Sequence, residues 1–390
     1  MTANFARTLL AATALTAAGA VSAYAATAMT PPAPGYRPAL DTDEGGLWHV
    51  MDEAEKDVQV SPALVKDETL NAYVRKIVCD LAGQQCPSLR VYIVDDPESN
   101  ALTAPNGMVI VWTGLLLRTQ NEAELAFVLG HEITHFLKRH SLQNFEKTTR
   151  TAGVAAFLTV GAGAIGALVG LGLIGSLASY SRDQEREADA GGFDLIVAKG
   201  YDPRQGALFM ANTDEEERAN PKRKKQWSYL ASHPATKERL ETLTKRAKDI
   251  EAQSHADTVG TEPYREAIKA LRPAWLEEEF NRSDYLQSVA MIGQLLKAEP
   301  DSGLLHYYLG EAYRRRNAKG DIDAAIESYQ AALDKPDTPV AVHRGLGMMA
   351  LKSGKKDIAR DAFQKYLSQA PDADDRSMVQ LYLSNAGGTP

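Results

Sequence analysis

The sequence predicts an α+β domain, mostly helical with a small sheet, followed by an all-α solenoid of helical repeats. Two observations set this up. Two short apolar runs, residues 89–94 and 108–112, stand among helical patterns in the first 250 residues, and the last 120 residues repeat themselves with helix–turn–helix spacing. At 390 residues there is room for two or three domains with cores of their own. A hydrophobic content of 44% with 24% charged residues argues against wholesale disorder. A net charge of −8 lacks the overall bias of a nucleic-acid binder, so no nucleic-acid partner is expected. Two cysteines are too few for a disulfide scaffold or a cysteine zinc ribbon.

Residues 1–25 read as a secretory signal peptide. Arg7 is their only charge, residues 9–21 are apolar, and Ala23-Tyr24-Ala25 has the small-x-small cleavage pattern. Export implies an oxidising compartment, so Cys79 and Cys86, seven positions apart around Gly83, are expected to close a small disulfide loop; free thiols are the alternative. Residues 26–46, rich in Pro, Ala and Gly, read as a flexible lead-in. A helical pattern follows over residues 47–81, with Leu70, Tyr73, Val74 and Ile77 on one stripe. Strands are expected at 89–94 and 108–112, the second entered through the Pro105-Asn106-Gly107 turn. Helices are expected at 122–140, 182–199 and 237–251, with a charged loop around 214–225. The first domain thus covers 47–251, with an apolar glycine-rich insert at 151–180 and a linker at 252–268.

Residues 269–390 carry the repeats. Leu346, Gly347, Ala350, Gly354, Ala359, Phe363 and Pro371 fall at the offsets of a tetratricopeptide unit. An earlier copy holds Leu309, Gly310, Tyr313, Gly320, Ala325, Tyr329, Ala332 and Pro336, and a degenerate first copy covers roughly 269–302. Small residues let paired helices approach and large ones fill the gap. A helix over 376–383 is expected to cap the array.

His131-Glu132-Ile133-Thr134-His135 carries the chemistry. On a helix, residues four apart share a face, so both imidazoles can reach one metal ion with Glu132 beside them. Two histidines and a carboxylate would leave zinc an open position for water, and a nearby glutamate can take that water's proton. Downstream, Glu185 and Asp189 are again four apart: Glu185 suits a third ligand, Asp189 a hydrogen-bond acceptor fixing a ligating histidine, and Glu187 points elsewhere. His140 reads as a surface histidine, and His49, His255, His306 and His343 have no partner motif.

Together with Asn100-Ala101, Pro105-Asn106-Gly107, Gly114-Leu115-Leu116, Glu124-Leu125-Ala126, Tyr180-Ser181-Arg182 and Ser232-His233-Pro234, these motifs resemble the HtpX and CAAX-prenyl-protease type of zinc metallopeptidases over residues 54–247. The resemblance implies a gluzincin-type metalloprotease domain followed by the tetratricopeptide solenoid. It implies one Zn²⁺ per chain on His131, His135 and Glu185, with Glu132 as general base and Asp189 behind the ligands. It places His233 and Arg239 at the oxyanion, with zinc ligation at rest an alternative for His233. Asn100, Ala101, Pro105, Asn106 and Gly107 fall at the substrate side, and the strand after Asn106 resembles the edge on which extended substrates pair.

The combination of domains resembles the periplasmic β-barrel assembly-enhancing proteases. It implies unfolded or stalled envelope proteins as clients and the outer-membrane β-barrel assembly machinery as a partner of the repeats. A single membrane crossing by 151–180 would put His131 and Glu185 on opposite sides, and 30 residues are too few for two crossings. A hairpin on the protein or in peripheral contact with a membrane is expected instead. The rival to a protease is a chaperone or adaptor whose protease site is normally shut; a prenyl-protein protease is the weakest reading.

Overall fold

The computed structural model describes residues 30–152, 180–222, 229–234, 237–251 and 257–388. The expected signal peptide, and all of the glycine-rich insert except its ends, lie outside the described residues. Among the described residues no helix is long and apolar enough to cross a membrane.

The first helical pattern divides in two. Helix α1 (Asp43–Gln59) begins inside the expected flexible lead-in, because Thr42 caps it by accepting from the Gly45 amide. Helix α2 (Glu68–Ala82) starts afresh at the Asp67 cap; Ser61-Pro62 lies in the break between them. Cys79 at the end of α2 is disulfide-bonded to Cys86, with Cα atoms 4.6 Å apart.

Three strands follow: β1 (Arg90–Val94), β2 (Ala101–Thr103) and β3 (Met108–Trp112). Their order in the sheet is β1-β3-β2, with β1 parallel and β2 antiparallel to β3. The strand after Asn106 is therefore central, paired on both sides, which corrects its expected place at an edge. All five of its side chains are buried, as a continuous apolar run in a central strand should be. The edges are β1 and β2, and β2 is too short to show a period in the sequence.

Helix α3 (Thr113–Arg118) leads into α4 (Glu122–Leu137), the central helix of the domain. Asn121 caps α4 through the Glu124 amide, and nearly every α4 side chain from Ala123 to Phe136 is buried. After α5 (His140–Ala152), α6 (Arg182–Ala198) opens with a reciprocal Ser181–Gln184 capping box. The first half of the charged stretch expected to be a loop, residues 214–219, belongs to α7 (Arg204–Ala219), whose Phe209, Met210 and Thr213 are buried, while residues 223–225 lie outside the described residues. The short α8 (Tyr229–Ser232) and α9 (Lys237–Glu251) complete the domain.

From residue 257 the expected linker is ordered against the peptidase domain, and residues 252–256 lie outside the described residues. Thr258 bridges to Tyr201, and α10 (Thr261–Ile268) buries Tyr264 and Ile268, the Tyr264 hydroxyl reaching Thr119 and the Leu116 carbonyl. The repeats are then α11 (Arg272–Glu279) with α12 (Tyr285–Ala298), α13 (Gly303–Arg316) with α14 (Asp321–Ala332), and α15 (Ala341–Lys352) with α16 (Lys356–Gln369). Helix α17 (Arg376–Asn385) caps them. The small-against-large logic holds: a Cβ on Gly310 would lie 2.5 Å from the Tyr329 ring, and one on Gly347 2.5 Å from Phe363.

One apolar cluster runs from Leu70 in α2 through α4 to Met349 and Ala362 in the repeats, so the two parts share a core. A buried charge cluster adds direction to the joint. Arg118 donates to Glu216 at 2.8 Å and to Glu279 of the first repeat at 2.9 Å.

Glu124, on α4, is fully buried, and burial raises its carboxyl to about 8 from 4.5 against the opposing hydrogen bond from the Gln120 amide. The folded state therefore holds a proton that the unfolded chain releases near 4.5. That stabilisation is complete below 4.5 and is lost as pH rises toward 8, at about 1.4 kcal/mol per pH unit. Glu124→Gln is expected to gain stability relative to wild type between pH 6 and 8, read as a shift in urea midpoint. An equal difference at both pH values would show that Glu124 is not the titrating group.

Candidate metal centre

Four groups converge where α4, α6 and α8 meet. One ligand atom from each of His131, His135, Glu185 and His233 lies within 4.8 Å of the others, and all four residues are buried. His131 and His135 are one helical turn apart on α4, and their Nε2 atoms are 3.0 Å from each other. Glu185 comes from the first turn of α6, its Oε atoms 3.6 Å from each of those nitrogens.

What brings α6 so near is a seam without side chains. Glu185, Asp189 and Gly192 follow one another at helical spacing, and Gly192 meets the α4 backbone: a Cβ there would lie 3.0 Å from the His131 nitrogen. With the backbones in contact, Asp189 reaches the His131 ring, its Oδ1 3.0 Å from Nδ1. Arg239 of α9 holds Asp189 from behind through Nε (2.8 Å) and Nη2 (2.7 Å). Burial opposes ionisation of Asp189, but the hydrogen bonds from His131 and Arg239 prevail and bring it down to about 2. The expected oxyanion donor Arg239 thus commits its guanidinium to Asp189, to Glu185 at 2.9 Å and to the Pro234 carbonyl at 3.0 Å.

His233 closes the group. Its Nδ1 lies 2.9 Å from Glu185 Oε1 and 3.1 Å from His131 Nε2, while its Nε2 lies 3.2 Å from Glu132 Oε1. Burial disfavours its cation, yet Glu185 and Glu132 outweigh burial and raise its basicity. Burial raises the Glu132 carboxyl, partly offset by His233, His131 and the Thr103 amide on β2. Glu185 is pushed up by burial but held below its ordinary value by His233, His131 and Arg239. His135 is driven well down by burial, then by His131, His233 and His140, which favours the neutral ring that metal ligation requires.

This donor set fits a cation. Glu132 Oε1 and Glu185 Oε2 are buried without a hydrogen bond of good geometry among the described residues. Two imidazole nitrogens 3.0 Å apart, a third nearby and a carboxylate make a site that suits a metal of intermediate softness.

The substrate-side residues separate. Ala101 lies on the β2 edge, and Asn100 precedes it, its side chain accepting the Ala101 amide. Pro105 lines a cleft with Thr103 and His135, walled by Trp48, Phe136 and Leu142. Asn106 and Gly107 turn away from the centre. Asn106 is buried against Asp52 and Glu55, and Gly107 adopts a left-handed conformation (φ 88°) against the Ser88 carbonyl.

Two aromatic contacts escaped the sequence reading. Tyr180 stacks on His135 at 3.7 Å, and Tyr229 on His233 at 4.7 Å. Tyr180 had a signal, since Tyr180-Ser181-Arg182 was among the motifs; Tyr229 had none. His140 is 1% exposed, which corrects its expected place on the surface.

Residues 65–247 match Peptidase family M48, and residues 274–319 and 318–374 match the tetratricopeptide repeat. The chain carries an M48 peptidase domain followed by tetratricopeptide repeats. The M48 domain holds every residue of the metal cluster, and membership of that family implies a metal ion. A protein from Yersinia pestis named beta-barrel assembly-enhancing protease is 28% identical over 62% of this chain and 53% of its own length. Its counterpart from Escherichia coli K12 is 24% identical over 63% and 53%. A mitochondrial metalloendopeptidase OMA1 from Arabidopsis thaliana is 28% identical over 52% and 39%. The chain spans about half the length of these relatives, or less. A solved human IFIT1 dimer with m7Gppp-AAAA aligns at a TM-score of 0.24 and 14% identity, too low to bear on the M48 chain's fold.

Proposed function

We propose that the protein is a periplasmic zinc-dependent endopeptidase, exported by its leader, that hydrolyses misfolded or stalled envelope and outer-membrane proteins. The observation that carries the reading is the buried convergence of His131, His135 and Glu185 with Glu132 alongside. The relatives named beta-barrel assembly-enhancing protease support the choice of client, with the repeats docking clients or the β-barrel assembly machinery.

In this reading His131, His135 and Glu185 hold one zinc ion per chain. Zinc, when bound, acts as a Lewis acid and makes water acidic enough to ionise near neutrality. Glu132 takes the proton of the attacking water; its burial-raised carboxyl suits accepting and then returning a proton. Asp189 fixes the His131 tautomer, and Arg239 steadies Asp189 and Glu185. With Arg239 so engaged, stabilising the developing oxyanion falls first to His233. An extended client would add to the β2 edge at Ala101, the strand whose Thr103 amide reaches Glu132.

The purified protein is expected to cleave fluorescently labelled casein, to stop in the presence of a zinc chelator and to resume when zinc is restored. Folded, zinc-loaded protein that cleaves no unfolded chain would remove this reading. It would favour the second one, a chaperone or adaptor with a latent site. The position of His233 among the ligands motivates that alternative, because as a fourth ligand it would take the place left open for water.

A further inference from the structure

On a continued helix His140, five positions past His135, would point about 140° away from it. The helix does not continue. Helix α4 stops at Leu137, Arg139 takes a left-handed conformation (φ 57°), and α5 begins at His140. The break puts the His140 ring against the His135 ring, centroids 4.9 Å apart at 74°. Arg139 is fixed in this conformation from outside by an ion pair with Glu44 and by the Tyr36 ring, 5.5 Å away.

The contact between the rings is polar. His140 Nδ1 lies 2.9 Å from His135 Nδ1, and His140 Nε2 lies 3.5 Å from Glu187 Oε2. Two ring nitrogens at that distance share one hydrogen, one donating and the other accepting, unless both serve one cation, as the ligand assignment has it for the Nε2 pair of His131 and His135. His135 turns its Nε2 toward His131 and Glu185, where a ligand needs a free lone pair. A neutral His135 then carries its hydrogen on Nδ1 and donates to His140 Nδ1. His140 in turn carries its hydrogen on Nε2, facing Glu187.

We propose that His140 is a positioning residue that fixes the tautomer and orientation of His135 for metal binding, with Glu187 anchoring it. The two histidine ligands are thus braced differently. His131 leans directly on the buried Asp189, while His135 leans on an imidazole that hands the hydrogen bond on to a half-exposed carboxylate. A buried polar ring needs hydrogen-bond partners, and His135 and Glu187 supply them to His140. The proposal rests on the ligand assignment made above.

The test uses the full chain with His140→Leu, His140→Asn and Glu187→Ala. Zinc affinity is measured by competition with a chelator, and the His135 tautomer is read from ring ¹⁵N shifts of histidine-labelled, metal-free protein. His140→Leu is expected to weaken zinc binding about 10–100-fold and to abolish the single His135 tautomer. Asn, whose amide oxygen can accept from the His135 Nδ1–H, is expected to recover most of both. Glu187→Ala is expected to loosen the His140 tautomer and to weaken zinc binding only a few-fold. The proposal is overturned by folded His140→Leu protein with the wild-type tautomer and affinity. It is equally overturned if Asn performs no better than Leu, which would reduce His140 to packing. Wild-type protein that binds no zinc would strike the ligand assignment instead, while the metal-free tautomer readout still decides the role of His140.

Discussion

Glu132→Gln is expected to leave the metal bound and to slow peptide hydrolysis by about 10²–10⁴-fold, the usual weight of a general base. Glutamine keeps the shape of the side chain and cannot take a proton. The ligands are untouched, because Glu132 lies beside the cluster with its Oε1 3.2 Å from His233 Nε2 and outside the ligand group itself. Zinc content by mass spectrometry and turnover of a labelled unfolded protein check the two halves separately. Retained turnover by the zinc-loaded variant would sink the proposed chemistry. In cells the same variant weighs the second reading: if it restores envelope integrity as fully as wild type does in a deletion strain, proteolysis is secondary.

Gly192→Val is expected to be as damaging without touching a reactive atom. The new side chain would meet the His131 nitrogen at 3.0 Å and its Cα at 3.3 Å, both backbone atoms that cannot rotate aside. Helix α6 must then move out from α4, carrying Glu185 and Asp189 with it. A displacement of about 1 Å is enough to cost about 10²-fold in rate, and overpacking of this kind costs about 1–3 kcal/mol of stability. Zinc affinity, turnover and the thermal midpoint should all fall together. Gly293→Ala, where a Cβ meets nothing within 4 Å, serves as the control. Wild-type rates in folded Gly192→Val would show that the close seam does not position the centre.

Local spacing made much of the site legible. His131 and His135 share a face of α4 because helical geometry requires it, whatever surrounds them, and the same holds for Glu185 and Asp189 on α6. The repeats were readable because small and large residues recur at matching places in each unit: Gly347 meets Phe363, and across a three-residue insertion Gly310 meets Tyr329. Strand β3 was legible as a strand and not as a central one. An apolar run records burial on both faces, but the identity of its neighbours depends on where β2 folds, and three residues carry no period. Residues 214–219 misled because the buried residues of their helix, Phe209, Met210 and Thr213, lie upstream of the charges.

The sequence alone set His131 and His135 on one helical face and Glu185 and Asp189 on another, and it showed the offsets of the repeats. Each of these depends on spacing within one helix or one repeat. Tertiary structure decided what depends on backbones meeting. The left-handed turn at Arg139 brings His140 under His135, the glycine seam lets α6 reach α4, and α10 with Arg118, Glu216 and Glu279 joins the repeats to the peptidase core. A single left-handed residue reverses where the next side chain points, and helical periodicity ends where the helix does.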